Sequence, residues 1–339
     1  MANIQDIAEH TGLSTATISR YINKRPYVSK EAQLAIELAM ERLDYHPNSA
    51  ARSLRSGKTR RVAVILDKAN HPFYAELLAG ISDVAWQHSY DVLLQQSGAP
   101  QWSPTLLLEQ AAARSMDGLI VAVESAELAP LLSLVGTVPV VACDQAMFEA
   151  DCPQVYIDHY QSTLDGLEYL QAGGARAIAC IAEPDGARGL YNCASNRFRR
   201  QAYRDFAGRD QAPVIHEVSV NDDNAKTGYE LFSRLATLDP RPDAVFTGGD
   251  DIAAGVLAAA REAGVAVPGE LAILGFDDQP IAEVLGISTI RQPIRRMGQR
   301  AAETLMRLVT EGIDAPVKRR TRVKYHLVPR TTTRKVPTA

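Results

Sequence analysis

The chain has 339 residues, more than one compact core holds, so two or three domains are expected. Apolar content is ordinary for a soluble globular protein, and no apolar run is long enough to span a bilayer, so no membrane-spanning helix is expected. Net charge is −4 but unevenly spread: residues 1–61 hold ten Lys/Arg against six Asp/Glu, a net of +4, leaving −8 for the remainder. Between His46 and Arg61 there are five basic residues and no acidic one. A basic head on an acidic body fits a phosphate-binding module attached to a sensor. No charged region followed by an apolar signal segment opens the chain, so it is expected in the cytoplasm. The four cysteines, Cys143, Cys152, Cys180 and Cys193, show no CxxC or other metal-ligand spacing. No metal or cofactor is expected, and Cys143 and Cys180 read as buried thiols in apolar runs.

The first element is predicted around Ile4, Ile7 and Ala8, which fall at helical spacing and mark a buried side. Gly12 can adopt the left-handed backbone that ends a helix. Ser14 offers a cap to a second helix in which Ile18 and Ile22 return to the core. A small residue, a hinge glycine and a branched anchor at Ala8, Gly12 and Ile18 form a helix-turn-helix pattern, whose second helix enters the DNA major groove. Its exposed side is Thr15, Ala16, Thr17, Ser19 and Arg20. Short side chains let a helix sit deep, and an arginine can pair with guanine O6 and N7. Ser29 caps a third helix with Ala32, Ile36, Ala39, Met40 and Leu43 on one side, and Tyr45-His46-Pro47 ends it. The segment 48–57, NSAARSLRSG, is helix-compatible, but its apolar side is only Ala50, Ala51 and Leu54. So short a helix is marginal alone and should fold only against a twin or DNA.

The stretch ATISRYIN, with YVS, LDYHPN and ARSLRSGKT after it, resembles the N-terminus of the lactose-repressor/galactose-repressor (LacI/GalR) family of bacterial transcription regulators. The resemblance extends over nearly the whole chain. It implies a headpiece at 1–46, a hinge helix at 47–61 that pairs with its symmetry mate in the minor groove, and an effector-binding and dimerisation domain at 62–339. Leu54 matches the family's apolar wedge between base steps, with Ala51 and Arg55 on the same segment; wedging unstacks and kinks the duplex. Thr15 and Ala16 are expected to choose central bases and Arg20 a guanine. Ser14, Thr17, Ser19, Asn23 and Tyr27 are expected to anchor phosphates. The implied partners are a palindromic operator, a second copy of the chain and a sugar or sugar-phosphate effector.

From Val62 the pattern turns to apolar runs at 62–66, 91–94, 118–123 and 138–143, then at 177–182, 214–220, 243–247 and 271–275. Amphipathic segments such as Tyr74–His88, Thr163–Gln171 and Ile252–Ala263 separate them. Unbroken apolar runs indicate parallel strands buried on both faces. The expected fold is therefore an all-α head followed by a two-lobed, periplasmic-binding-protein-like α/β body: one lobe about 62–160 plus 292–320, the other about 161–291 plus 321–333. The tail from Lys318 reads as one final edge strand.

Ligands of such sheets bind beyond the carboxyl ends of the strands. Four places supply polar or aromatic groups there. Phe73 and Tyr74 follow the first strand and are either ligand-facing, as the resemblance implies, or core. In the S-x-x-x-R segment, Arg199 matches the family's ligand arginine and Ser195 stands with it, whereas Arg197 and Arg200 read as solvated. Asp250 follows Gly249, which stands where the family has asparagine, and either meets the ligand or caps the next helix. Asp277 of GFDD is the expected ligand acceptor, and Asp144 a further candidate. Asp250, Asp251, Asp277 and Asp278 also invite a Mg²⁺ phosphoryl-transfer reading, but no GxxxxGK[ST], GxSxG or HExxH accompanies them, so no enzyme is expected. A solute-binding protein with the same body is the alternative; it leaves the basic head unexplained.

Overall fold

The computed structural model describes residues 2–22, 25–45, 57–97, 102–123, 126–144, 150–182, 194–220 and 222–335. The chain divides into two compact units, Met1–Thr59 and Arg60–Ala339.

The first unit holds helices α1 (Ile4–Thr11), α2 (Thr15–Ile22) and α3 (Lys30–Arg42). Asn3 caps α1: its side chain accepts from the Gln5 and Asp6 amides, while Asp6 reaches back to the Asn3 amide at 2.7 Å. This reciprocal pairing satisfies donors that a helix start leaves open. Gly12 ends α1 in the left-handed region at φ 68°, turning the chain sharply into α2. Ser29 caps α3 by accepting from the Ala32 amide. Ile7, Ile18 and Ile36, one from each helix, are fully buried against one another with Ala39 and Tyr45. Burial of each isoleucine contributes about 1.5–3 kcal/mol, enough to fix three short helices in one arrangement.

The second unit contains two six-stranded sheets. The first runs in the order β2 (Asp91–Gln96), β1 (Arg61–Leu66), β3 (Gly118–Val121), β4 (Val140–Cys143), β5 (Gln154–Tyr156) and β11 (Arg320–Arg322), all parallel. The second runs β7 (Val214–Val218), β6 (Ala177–Ile181), β8 (Ala244–Phe246), β9 (Ala272–Asp277), β10 (Ser288–Arg291) and β12 (His326–Val328). Only β12 is antiparallel there. Helices α4 (Pro72–Gln87), α5 (Pro104–Ala112) and α11 (Ile294–Glu311) belong with the first sheet; α6 (His159–Ala172), α7 (Ala194–Ala207), α8 (Ala225–Leu235), α9 (Asp250–Glu262) and α10 (Pro280–Leu285) belong with the second. Central strands are apolar on both faces, as in β1, where Val62 to Leu66 are all buried.

The expected single tail strand is two. Arg320–Arg322 pairs with Gln154–Tyr156 in the first sheet, and His326–Val328 pairs with β10 in the second. Residues 321 and 322, expected in the second lobe, therefore belong to the first. The chain passes between lobes after β5, after β10 and between β11 and β12. Among the described residues no helix is long and apolar enough to cross a membrane.

Candidate nucleic-acid interface and ligand cleft

Helix α2 buries Ile18 and leaves Thr15, Ala16 and Arg20 exposed, with Ser19 half-buried on the same arc. Tyr21 holds the other side, its hydroxyl donating to Glu37 of α3. The Ser14 hydroxyl accepts from the Thr17 amide at 3.2 Å and lies 2.9 Å from the Thr17 hydroxyl. That pairing fixes the start of α2 and leaves its exposed arc short and polar except for Arg20. Tyr27 is 94% exposed with φ 73°, a backbone conformation an aromatic residue seldom adopts. Its ring therefore takes no part in the core. Asn23, Ala51, Leu54 and Arg55 lie outside the described residues.

In the second unit a cavity of about 750 Å³ is lined by Pro72, Glu76, Asp277, Gln279, Gln292 and Ile294 among others, beside the ends of β9 and β10. Arg199, on α7, lays its guanidinium 4.0 Å from the Phe276 ring centroid and donates to the Gly248 carbonyl at 3.1 Å. Its Nε is buried with no hydrogen-bond partner among the described residues. Asp277, at the end of β9, accepts from Gln292 Nε2 at 2.6 Å and Gln279 Nε2 at 3.2 Å, which leaves both glutamine Oε1 atoms buried without partners among the described residues. Burial pushes the Asp277 carboxyl up, against the pull of Arg199. Its φ of 100° is rare for a side-chain-bearing residue and marks stored strain of the kind found at ligand sites.

Asp144, just after β4, lies 2.7 Å from His159 Nε2 of α6, and His159 stacks on Phe276 with centroids 5.8 Å apart. Burial alone would raise the Asp144 carboxyl, but His159 and Arg199 outweigh it and hold the group below the usual carboxylate range. Ser195 is half-buried at the start of α7. Phe73 is 8% exposed and packs in the core, with Tyr74 half-buried against it at 5.2 Å.

Asp250 neither opens to solvent nor caps α9, whose cap position is Gly249. One carboxylate oxygen accepts from the Gln279 amide at 2.7 Å and the other lies 2.7 Å from the Thr289 hydroxyl. Burial, reinforced by Asp277, pushes it up to about 8. Asp278 is held by Arg291 at 2.5 Å and Arg330 at 2.6 Å. Asp250, Asp277 and Asp278 thus each have hydrogen-bond partners of their own, and among the described residues no group of three or more His, Cys, Asp or Glu is placed to hold a metal ion. Arg200, expected in solvent, is buried and paired with Glu217 at 2.9 Å.

Residues 3–48 match the model of the bacterial regulatory proteins of the lacI family, and residues 167–333 match the periplasmic binding protein-like domain. Over 98% of its length the chain is 34% identical to an uncharacterized HTH-type transcriptional regulator, YkvZ, of Bacillus subtilis, covering 100% of it. The chain belongs to the LacI family of transcriptional regulators. This LacI-family regulator is also 29% identical to the ribose operon repressor of Escherichia coli, over 92% of the chain and 94% of that protein. Its fold matches that of a Lac repressor dimer bound to operator and an anti-inducer, with a TM-score of 0.83 over 98% and 99% of the two chains at 23% identity.

Several polar groups in the cleft escape a reading of the regulator's sequence: Asp67, Lys68, His159, Asp222, Asp223, Gln279 and Gln292. Lys68 and His71, from the first lobe, meet Asp222 and Asp223 of the second: Lys68 Nζ lies 2.7 Å from Asp222 and 3.5 Å from Asp223, and His71 Nε2 lies 3.3 Å from Asp223. Asp67 and Lys68 directly follow a buried strand, and that position was the available signal. His159 and Gln292 stand just after β5 and β10, where the chain crosses between lobes, and Gln279 precedes α10 beside Asp250 and Asp277.

Proposed function

We propose that this regulator is a cytoplasmic repressor of a carbohydrate-utilisation operon. It reads a palindromic DNA site as a homodimer and responds to an unphosphorylated, sugar-like polyol bound between its lobes. The observation that carries the reading is the α2 surface: Thr15, Ala16, Ser19 and Arg20 on one arc of a helix fixed by Ile18 behind it. A single head makes too few contacts for high specificity, whereas two heads read two half-sites. The cleft supports the effector half. Arg199 Nε is a buried unused donor, and Gln279 Oε1 and Gln292 Oε1 are buried unused acceptors, a mixture that hydroxyl groups satisfy. Asp67, Asp144 and Asp277 would repel a phosphate dianion, which disfavours a sugar phosphate. Effector binding in the cleft is coupled to DNA binding, and a coupling of about 1–3 kcal/mol suffices to shift operator occupancy. Gel shift on a palindromic duplex with and without a panel of neutral sugars tests this. The expected result is cooperative dimer binding altered by at least one sugar; a chain that stays monomeric and binds no duplex overturns it.

A further inference from the structure

The chain passes between lobes from β5, β10 and β11, and these strands, with β12, stand together at one end of the two strand orders. Lys68 and His71 follow β1, and Asp222 and Asp223 follow β7, both toward the other end of those orders. Lys68 Nζ donates to Asp222 at 2.7 Å and lies 3.5 Å from Asp223, across 154 and 155 positions of sequence. This contact therefore ties the lobes at the sheet edges away from the chain crossings. Lobes that pivot about the crossings part most at that side, so the contact is made only when they are together.

Each half of the contact is fixed within its own lobe. In the first, His71 caps α4: its Nδ1 accepts from the Phe73 amide at 3.3 Å, so the ring proton sits on Nε2, which faces Asp223 at 3.3 Å. The His71 amide donates to the Lys68 carbonyl at 3.1 Å, and the Ala69 amide donates to Gln96 at 3.2 Å. In the second, Asp222 accepts from the Asp223 amide at 2.9 Å and from Asn224 Nδ2 at 2.7 Å. Asn224 in turn caps α8 by accepting from the Thr227 amide at 3.0 Å. An exposed ion pair loses most of its worth to the ordering of two long side chains and to screening. Here the Lys68 stem is the one long side chain to be ordered, and the Lys68, Asp222 and Asp223 side chains are only 29%, 40% and 24% exposed. We propose that Lys68 and His71 with Asp222 and Asp223 form a latch that holds the two lobes together before any effector arrives. Its consequence for DNA rests on the coupling of cleft to operator proposed above; the latch itself does not.

The test is zero-length carbodiimide cross-linking of the full-length protein, dialysed free of small molecules and read by mass spectrometry of its peptides. The reagent activates a carboxylate, and a lysine amine in contact with it forms an amide, with the net loss of a water molecule. An amide from Lys68 to Asp222 or Asp223 is expected. Its yield should fall about twofold or more at about 1 M salt, where the screening length shrinks to about 3 Å. Lys226 and Glu230, 3.8 Å apart on α8, are the control within one lobe. The control amide without the Lys68 amide overturns the inference, since the lobes then stand apart without effector. A Lys68 yield unmoved by salt overturns it too, since the contact then holds nothing. Operator gel shifts of Lys68→Met at one fixed salt, with no sugar present, read the consequence. Affinity should move about two- to fivefold, equal to about 0.4–1 kcal/mol. A salt-sensitive Lys68 amide with operator affinity unmoved upholds the latch and overturns the coupling of cleft to operator.

Discussion

His159 Nε2 lies 2.7 Å from an Asp144 carboxylate oxygen, joining the start of α6 in the second lobe to the end of β4 in the first. His159 is fully buried and stacked on Phe276, so the pair ties the lobe crossing to the floor of the cleft. Asp144 is held below the usual carboxylate range, so its contribution to stability is full above about pH 4 and is lost as pH falls through the lower folded value. Asp144→Asn removes a hydrogen bond to a charged group and should cost about 1.5–3 kcal/mol at pH 7. Urea melts from pH 3 to 7 check this: the parent should lose stability on acidification more steeply than the variant.

Asp250 titrates in the opposite sense. Its folded value is pushed up to about 8, chiefly by burial. The folded state therefore holds a proton that the unfolded chain releases near pH 4, and stability from this group falls as pH rises between those values. Asparagine reproduces the protonated shape: its oxygen can accept from the Gln279 amide and its nitrogen can donate to Thr289. Asp250→Asn should flatten the decline between pH 5 and 9, measured as the midpoint of urea unfolding. A variant as pH-sensitive as the parent across that range would refute the assignment.

The legible parts of this fold were those whose signal is local. The apolar runs at 62–66, 91–94, 118–123 and 138–143 fall on β1 to β4, and the later four on β6 to β9, because strands covered on both faces must be apolar throughout. Strands β5 and β10 gave no such run. Ser288 and Thr289 of β10 are buried only because partners distant in sequence take their hydroxyls, Thr333 and Asp250. The tail's alternation through Val323, Tyr325 and Leu327 concealed a crossing, since a period-two pattern does not say which sheet each half joins. At the candidate site, a family pattern and a strand end point to Arg199 and Asp277, and the structure sets them against Phe276 and Gly248, and between Gln279 and Gln292. Asp250 was legible as a residue but not as a buried strut, because its partners lie 29 and 39 positions away.

Helices α4 and α11 meet backbone to backbone at two glycines. A Cβ on Gly80 would stand 2.1 Å from the Arg295 carbonyl oxygen, and one on Gly298 would stand 2.2 Å from that of Leu77. Neither neighbour is a side chain that can swing aside, so the helices would have to part. Gly80→Ala and Gly298→Ala should each cost at least about 1–3 kcal/mol. Gly249→Ala is the contrast: its Cβ meets nothing within 4 Å, and the loss expected is about 0.5 kcal/mol, from a poorer helix cap. Thermal melts of the three variants rank them, and a Gly80→Ala protein as stable as Gly249→Ala would mean that the α4–α11 contact is looser than its geometry.

Arg199 is the group on which the effector reading can be separated most cleanly from DNA binding. Its guanidinium stacks on Phe276, donates to Gly248 and keeps Nε unused. Lysine preserves the charge but has neither the plane that stacks nor the fork that donates along two directions. Arg199→Lys should weaken effector binding by about ten- to a hundredfold, the equivalent of about 1.5–3 kcal/mol for a lost hydrogen bond to a charged group. Operator affinity without effector should stay at the parent's value, since the residues proposed to contact DNA lie in the other unit. Paired measurements, calorimetry for the effector and gel shift for the operator, distinguish the outcomes. Loss of both would show a folding defect, while retention of both would show that the arginine holds the Phe276 ring and the Gly248 turn and does not contact the effector.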